Sequence, residues 1–317
     1  MSVLDDIHIG ILRGGTSNEY HDSLSTGAGI LSDLSERNVN DILIDRTGQW
    51  YYKGVVHEPR SLLTSVDVVV NGLHGGIGED GTIQRTLFNL KIPHTGSGAL
   101  ASSLSLHKPA AKKLFVKAGI RTPRYSIFTP RDPHTDAHEF VRNFSLPVMI
   151  KAVRDGGSHG VHRAESFADI RRLLEQNRGE VLIEEYIFGK MVTCGVVSSF
   201  RSEEIYPLFP VEVDCGNDSF YDHRRRGEYG FHCPSGLPQG VKKEIQEMAR
   251  RAHDVLDLSH YSQSDFIVTS SGRVYLLEVN SLPSLEDGAP FVRALEAVGS
   301  DRRNFLEHVL ELALERR

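Results

Sequence analysis

The feature that most constrains this chain is a short run, Val66–Asn71, that ends in Gly72-Leu73-His74-Gly75-Gly76-Ile77-Gly78-Glu79-Asp80-Gly81. The run reads as a buried strand. A turn with so many glycines puts backbone at positive φ or hard against a ligand. A second unit of the same kind lies upstream, where His8-Ile9-Gly10-Ile11-Leu12-Arg13 stops at Gly14-Gly15. Helical patterns lie between and after the two strands, so the first hundred residues or so read as a parallel α/β unit. Sheets of this kind place ligands at the turns beyond their strand ends. In that turn His74 either serves an oxyanion or a proton, or is buried and only hydrogen-bonded.

Downstream, Pro109 to Gly119 reads as a helix, with proline in its first turn and glycine at its stop. Strands are expected at Val148–Val153, Val181–Ile187 and near Thr193–Ser199, with a helix between Phe167 and Gln176. Residues 214–240 lack periodicity and read as a long loop. Ile245, Met248, Ala249, Ala252, Val255 and Leu256 recur at helical spacing. Asp265–Val268 and Val274–Asn280 form a hairpin pattern, and a helix over about Arg303–Glu315 closes the chain. Boundaries near residues 100 and 185 divide the chain into pieces 1–100, 101–184 and 185–317.

Two segments carry chemistry. Gly156-Gly157-Ser158-His159-Gly160 follows a strand bearing Lys151. Its exposed N–H groups could cradle phosphate oxygens beside a neutralising lysine, or the segment is an ordinary hairpin turn. It is not a Walker A loop, because no Gly-Lys-Ser/Thr ends it. In the hairpin, Glu278 and Asn280 are two apart on one strand and share a face. With Asp265 on the partner strand they make an oxygen-rich set of the kind Mg²⁺ accepts, or else a solvated hairpin edge. Gly96-Ser97-Gly98 lacks the third glycine and the acidic partner of a dinucleotide fingerprint.

Composition excludes other classes. The 317 residues hold 36 Lys and Arg against 42 Asp and Glu, a net charge of −6, which argues against nucleic-acid binding through a basic field. No apolar run approaches the roughly 18 residues a membrane helix needs. The start, Met1-Ser2-Val3-Leu4-Asp5-Asp6, lacks the pattern of a secretory signal, so a cytoplasmic protein is expected. Cys194, Cys215 and Cys233 are too few and scattered for a disulfide framework or a zinc cage.

Taken together, these segments resemble the D-alanine–D-alanine ligase family of ATP-grasp enzymes. The likeness runs over nearly the whole chain, in order: Gly14-Gly15-Thr16-Ser17-Asn18-Glu19; His74 to Gly81 with Gln84; Thr95-Gly96-Ser97-Gly98; Ser102 to Lys112; the glycine-rich loop; Glu184-Glu185-Tyr186-Ile187; and Leu277-Glu278-Val279-Asn280. The resemblance implies an α/β fold with α+β elements: a three-domain ATP-grasp architecture with an N-terminal Rossmann-like parallel sheet. It implies ATP and Mg²⁺ as cofactors, amino acids as substrates, and a homodimer. Lys108 and Lys151 would hold the ATP phosphates, with Gly156, Gly157 and Ser158 covering them. Glu184 would face the adenine amino group, beside Glu185 and main-chain groups near Ile187. Asp265, Glu278 and Asn280 would bind Mg²⁺. Glu19 would hold the ammonium of the first amino acid and His74 would sit near its carboxylate. The implied chemistry is carboxylate activation as an acyl phosphate, followed by attack of a second substrate's amine, for cell-wall precursor synthesis.

The chain also departs from that pattern. Gln263 stands where the family has an oxyanion-stabilising arginine, Met191 where it has the ribose-binding acid, Ala289 where a serine meets the second substrate, and Gly157 where the loop has a serine. Two other readings follow from these changes: an ATP-grasp ligase for a different carboxylate and amine, or a nucleotide-binding relative without ligase chemistry.

Overall fold

Three β-sheets carry the chain, in a computed structural model that describes residues 4–129, 144–154, 160–176, 179–216 and 229–315. The first sheet holds β1 (His8–Gly14), β2 (Asn38–Ile44), β3 (Trp50–Tyr52), β4 (Val55–His57) and β5 (Val68–Asn71), in the order β4-β3-β2-β1-β5. β1 runs parallel to both β2 and β5. The turns after β1 and β5 therefore emerge side by side, at the point where strand order reverses. The Val68-Val69-Val70 run is buried on both faces, as β-branched residues in a covered parallel sheet should be. The Rossmann-like parallel part is confined to β2-β1-β5. Strands β3 and β4 add an antiparallel edge hairpin that periodicity did not reveal. Its two-residue turn, Lys53-Gly54, has positive φ at both positions and lacks the usual Asn-Gly signature. Helices α1 (Tyr20–Asp33), α2 (Pro59–Leu63) and α3 (Thr82–Asn89) flank this sheet.

Helices α4 (Ala99–Leu106) and α5 (Lys108–Lys117) lead to the second sheet. It contains β6 (Tyr125–Phe128), β7 (Val148–Ala152), β8 (Val161–Ala164) and β9 (Val181–Glu185), antiparallel in the order β6-β9-β7-β8. Helix α6 (Phe167–Gln176) covers it with Ile170, Leu173 and Leu174. The third sheet holds β10 (Lys190–Phe200), β11 (Glu203–Pro207), β12 (Val211–Asp214), β13 (Gly230–His232), β14 (Tyr261–Val268) and β15 (Val274–Asn280). Its path is β13-β12-β10-β14-β15, with β11 beside β10. Strand β13 lies within the expected 214–240 loop. Three residues pair with β12, too few for periodicity to show, so that expectation is corrected here.

Helices α7 (Gln239–Val255), α8 (Pro290–Ala297) and α9 (Arg302–Glu315) complete the chain. α7 buries Ile245, Met248, Ala249, Ala252 and His253, the i, i+3, i+4, i+7, i+8 stripe of a core-facing helix. It packs with Ala111 and Phe115 of α5 and with β10, β14 and β15 around one core. A second core runs between the first and last parts of the chain. Ile9, Ile11, Val68 and Val70 of the first sheet meet Phe291, Phe305, Leu306, Val309 and Leu310 of α8 and α9. Phe305 packs edge-on against both Tyr261 and Phe291, each with ring centroids 5.2 Å apart.

His253 gives this packing a pH signature. Its Nδ1 lies 2.8 Å from Ser262 Oγ and its Nε2 3.4 Å from Ser198 Oγ. Burial lowers its pKa to about 4, against a small opposing effect of Asp254. The unfolded chain, with an ordinary histidine near 6.5, binds more protons between the two values. Stability from this group is therefore full above about pH 6.5 and falls as pH drops toward 4, by about 3 kcal/mol in total. We expect urea midpoints to drop between pH 7 and pH 5, and His253→Gln to flatten that drop. Parallel pH profiles for the two proteins would contradict it.

Candidate active site

The turns beyond β1 and β5 meet the face of β10, β14 and β15, and a cleft lies between them. Glu19, Asp22, His74 and Glu79 line it from the first sheet; Met191, Thr193, Gln263, Asp265, Glu278 and Asn280 line it from the third. Register explains the second group. Asp265 pairs with Glu278 and Gln263 with Asn280 across adjacent antiparallel strands, so all four project from one face. The ladder shifts by one residue just after Asp265, with Leu277 as the extra residue of β15, and Phe266, on the opposite face of β14, packs in the core.

The glycine turn is held from several sides. Gly78 O accepts from Asn71 Nδ2 at 3.1 Å and from Gln84 Nε2 at 2.6 Å. His74 O accepts from Ser17 Oγ at 2.6 Å, and Glu79 Oε2 accepts from Gly75 N at 2.9 Å. Gly75 has φ +60, and a Cβ there would fall 2.4 Å from Glu19 Oε2. Only glycine lets the Glu19 carboxylate lie against this turn. Burial raises the pKa of Glu19, and the neighbouring Glu79 and Asp22 raise it further. Burial also raises that of Glu79, against backbone hydrogen bonds from Gly75 and Leu282. The His74 ring is buried, with Nε2 2.9 Å from Thr26 Oγ1 of α1. The same hydroxyl accepts from Leu285 N at 3.4 Å. If the Thr26 hydroxyl donates to His74 Nε2, a neutral ring carries its proton on Nδ1.

Charges are paired beside the cleft. Lys108 Nζ is 3.0 Å from Glu278 Oε2. Lys151 Nζ is 3.0 Å from Glu184 Oε2, and Lys112 Nζ is 3.1 Å from Glu184 Oε1. Burial alone would raise the Glu184 pKa, but Lys112 and Lys151 outweigh it and hold it low. Glu278 is likewise held low, by Lys108 and Lys151 against burial. Asp265 fares differently: burial and the Glu278 charge push it up to about 7, against smaller opposing effects of Thr193, Gln263 and Lys108.

The structure thus gathers Glu19, His74, Gln263, Asp265, Glu278 and Asn280 around one cleft and attaches Lys108 to it. Lys151 joins through Glu184. Glu185 turns away: Arg124 N and Nε donate to its two oxygens, each at 2.9 Å. Ile187 is half-buried in the connection between β9 and β10. Gly156, Gly157 and Ser158 lie outside the described residues, as do Arg224–Arg226. Met191 lines the cleft, and Ala289 is buried just before α8. Sequence reasoning had not singled out Asp22, Glu79, Thr26 or Lys112. Lys112 had a signal, since it stands one helical turn after Lys108. Asp22 had one too, one turn into the helix that Glu19 opens.

Fold and site define a ligase of the ATP-grasp class. The chain belongs to the D-alanine–D-alanine ligase family. The family model described as "D-ala D-ala ligase C-terminus" matches residues 114–311. A D-alanine–D-alanine ligase of Cupriavidus metallidurans is 31% identical over 308 residues, 96% of this chain and 91% of that one. One from Oleidesulfovibrio alaskensis is 33% identical over 312 residues, 96% of each. Among solved structures, the VanG D-Ala:D-Ser ligase of Enterococcus faecalis matches with a TM-score of 0.85 at 26% identity, covering 97% of this chain and 99% of that chain. The fold is also that of D-alanyl-alanine synthetase A from Vibrio cholerae, with a TM-score of 0.86 at 24% identity over 99% and 100% of the two chains.

The Gly75 geometry yields a test. Gly75→Ala should cost about 1 kcal/mol for the left-handed backbone, yet displace the Glu19 carboxylate. We expect a melting temperature a few degrees lower but substrate-dependent phosphate release at least tenfold slower. Activity falling no more than stability would show that the turn does not set Glu19.

Proposed function

We propose that this protein joins two molecules of D-alanine at the expense of ATP, supplying the dipeptide for peptidoglycan precursors. The observation that carries the reading is the opposition of two sets across one cleft: Glu19 and His74 on the first sheet's turns, Asp265, Glu278 and Asn280 on the third sheet's face.

The residues present fit the two groups such a reaction needs. Glu184 Oε2 is buried and meets Lys151 in an ion contact rather than an aligned hydrogen bond, which leaves an acceptor for an adenine amino group. Lys108 and Lys151 are buried ammonium groups suited to phosphate oxygens. Asp265, Glu278 and Asn280 would hold Mg²⁺, which neutralises phosphate charge when bound. Among the described residues no cluster of three or more His, Cys, Asp or Glu stands ready for a metal. That suits an ion whose shell is completed by phosphates and water.

In this reading Glu19 receives the ammonium of the first D-alanine, and His74, held by Thr26, presents Nδ1–H toward its carboxylate. That carboxylate takes up the γ-phosphoryl group, and the amine of the second D-alanine then displaces phosphate. Positioning and charge neutralisation carry most of the work, as expected for phosphoryl transfer. The working division keeps residues 1–100 for the amino acid, 101–184 for the nucleotide, and 185–317 for the metal. The assembly we infer is a cytoplasmic homodimer. No helix among the described residues is long and apolar enough to cross a membrane.

Gln263 and Ala289 favour a second reading, with the same mechanism and another amine. Gln263 hydrogen-bonds to Asp265 and brings no positive charge, and Ala289 offers no hydroxyl. Loss of one oxyanion donor elsewhere costs about 3–4 kcal/mol.

The test is phosphate release with Mg-ATP across D-alanine, D-serine, D-lactate and several L-amino acids, with products identified by mass. D-alanyl-D-alanine is the expected product, and release with another pair only would replace the substrate. Silence across the panel would sink the ligase reading. Glu278→Gln should abolish ATP turnover with the melting transition retained; unchanged turnover would remove the metal assignment. Gln263→Arg should raise the ligation rate, and a fall would show a site rebuilt around the glutamine.

A further inference from the structure

Glu184 is completely buried, on β9 of the second sheet, opposite Tyr125 of β6 and Met149 of β7. Lys151 is two residues beyond Met149 and so projects from the same face of the sheet. Lys112 reaches the same carboxylate from α5. It is 1% exposed, donates to Thr122 Oγ1 at 2.6 Å and to Glu184 Oε1 at 3.1 Å, and lies 5.7 Å from the centre of the Tyr125 ring. One carboxylate thus faces two ammonium groups, each on its own oxygen: Lys112 on Oε1 and Lys151 on Oε2.

The two lysines are not equivalent. Lys112 is enclosed by the Thr122 hydroxyl, the Glu184 carboxylate and the Tyr125 ring, and none of these three groups lines the cleft. Glu278 draws both lysines, and Lys151 is drawn by Asp265 as well; both acids face the cleft. A phosphate can compete for Lys151. Any such competition would strip Glu184 of a counter-charge, and a buried, uncompensated carboxylate is unfavourable. Lys112 removes that obstacle, since Glu184 stays paired when Lys151 leaves.

We propose that Lys112 is a positioning residue of the nucleotide site: it is the standing counter-charge of Glu184, and this frees Lys151 to exchange that carboxylate for a phosphate oxygen. The inference rests on the reading of the cleft as an ATP site.

The test measures Mg-ATP affinity by calorimetry and steady-state kinetics in wild type, Lys112→Met, Glu184→Gln and the double variant. Lys112→Met should weaken ATP binding at least tenfold and raise KM for ATP. KM for D-alanine should not change, and kcat at saturating ATP should stay within about threefold. In the Glu184→Gln background, where no charge retains Lys151, adding Lys112→Met should change ATP affinity by less than about threefold. An equal loss in both backgrounds would mean that Lys112 acts only through packing and would overturn the proposal. So would unchanged affinity in the single variant. Should Lys112→Met not fold, Thr122→Val carries the same test, because it loosens Lys112 without removing a charge. A loss of severalfold in ATP affinity, abolished by Glu184→Gln, supports the exchange, and wild-type affinity overturns it. A wild type that binds no Mg-ATP would sink the ATP-site reading itself, and the exchange with it.

Discussion

Two carboxylates, the fully buried Glu184 and the half-buried Glu278, organise the charges around the cleft, and cations hold both ionised against desolvation. Helix α5 supplies a cation to each. Lys108 and Lys112 stand one turn apart, one reaching Glu278 on the third sheet and the other Glu184 on the second. Removing one partner of a buried pair typically costs about 3–5 kcal/mol, so α5 has little freedom to turn or slide. Its apolar face is locked by Ala111 and Phe115 in the core of the third sheet. A single helix thus ties the second and third sheets together, with Lys108 and Lys112 on the same buried stripe as Ala111 and Phe115.

A second constraint joins the ends of the chain. Arg302, at the start of α9, donates to both oxygens of Asp33 on α1, to Asp287 and to Leu285 O. Its guanidinium lies over Gly29, where a Cβ would fall 2.6 Å from Nη1. Thr26 on the same helix takes the Leu285 N–H. One residue of the segment between β15 and α8, Leu285, is therefore held at both its N–H and its C=O by groups tied to α1. Leu282, Pro283 and Ser284 of that segment line the cleft, so the amino-acid end of the site depends on contacts between residues more than 250 positions apart.

Much of the site was legible because its chemistry sits in contiguous turns. Gly75 to Gly81 had to be a turn, and Glu278 and Asn280 had to share a face, whatever surrounded them. Asp265 could be placed near them from hairpin logic alone. The pairing partners were another matter. That Gln263 faces Asn280 depends on register, and that Glu184 lies between two lysines depends on how α5 docks. Strands β3, β4 and β13 escaped notice because three residues are too few to show a period.

Sequence alone determined which groups this chain carries and in what order: glycine turns after apolar strands, lysines on a helix and a strand, oxygen ligands at a hairpin. Those are local properties, set by backbone sterics and side-chain spacing. Tertiary structure alone decided which charge meets which. Desolvation makes an unpaired ion costly, so the packing that encloses Glu184 and half-buries Glu278 also selects Lys112, Lys151 and Lys108 as their ion-pair partners. No spacing rule contains that choice, because the partners come from a helix and from strands far apart in sequence and meet only when the cores close.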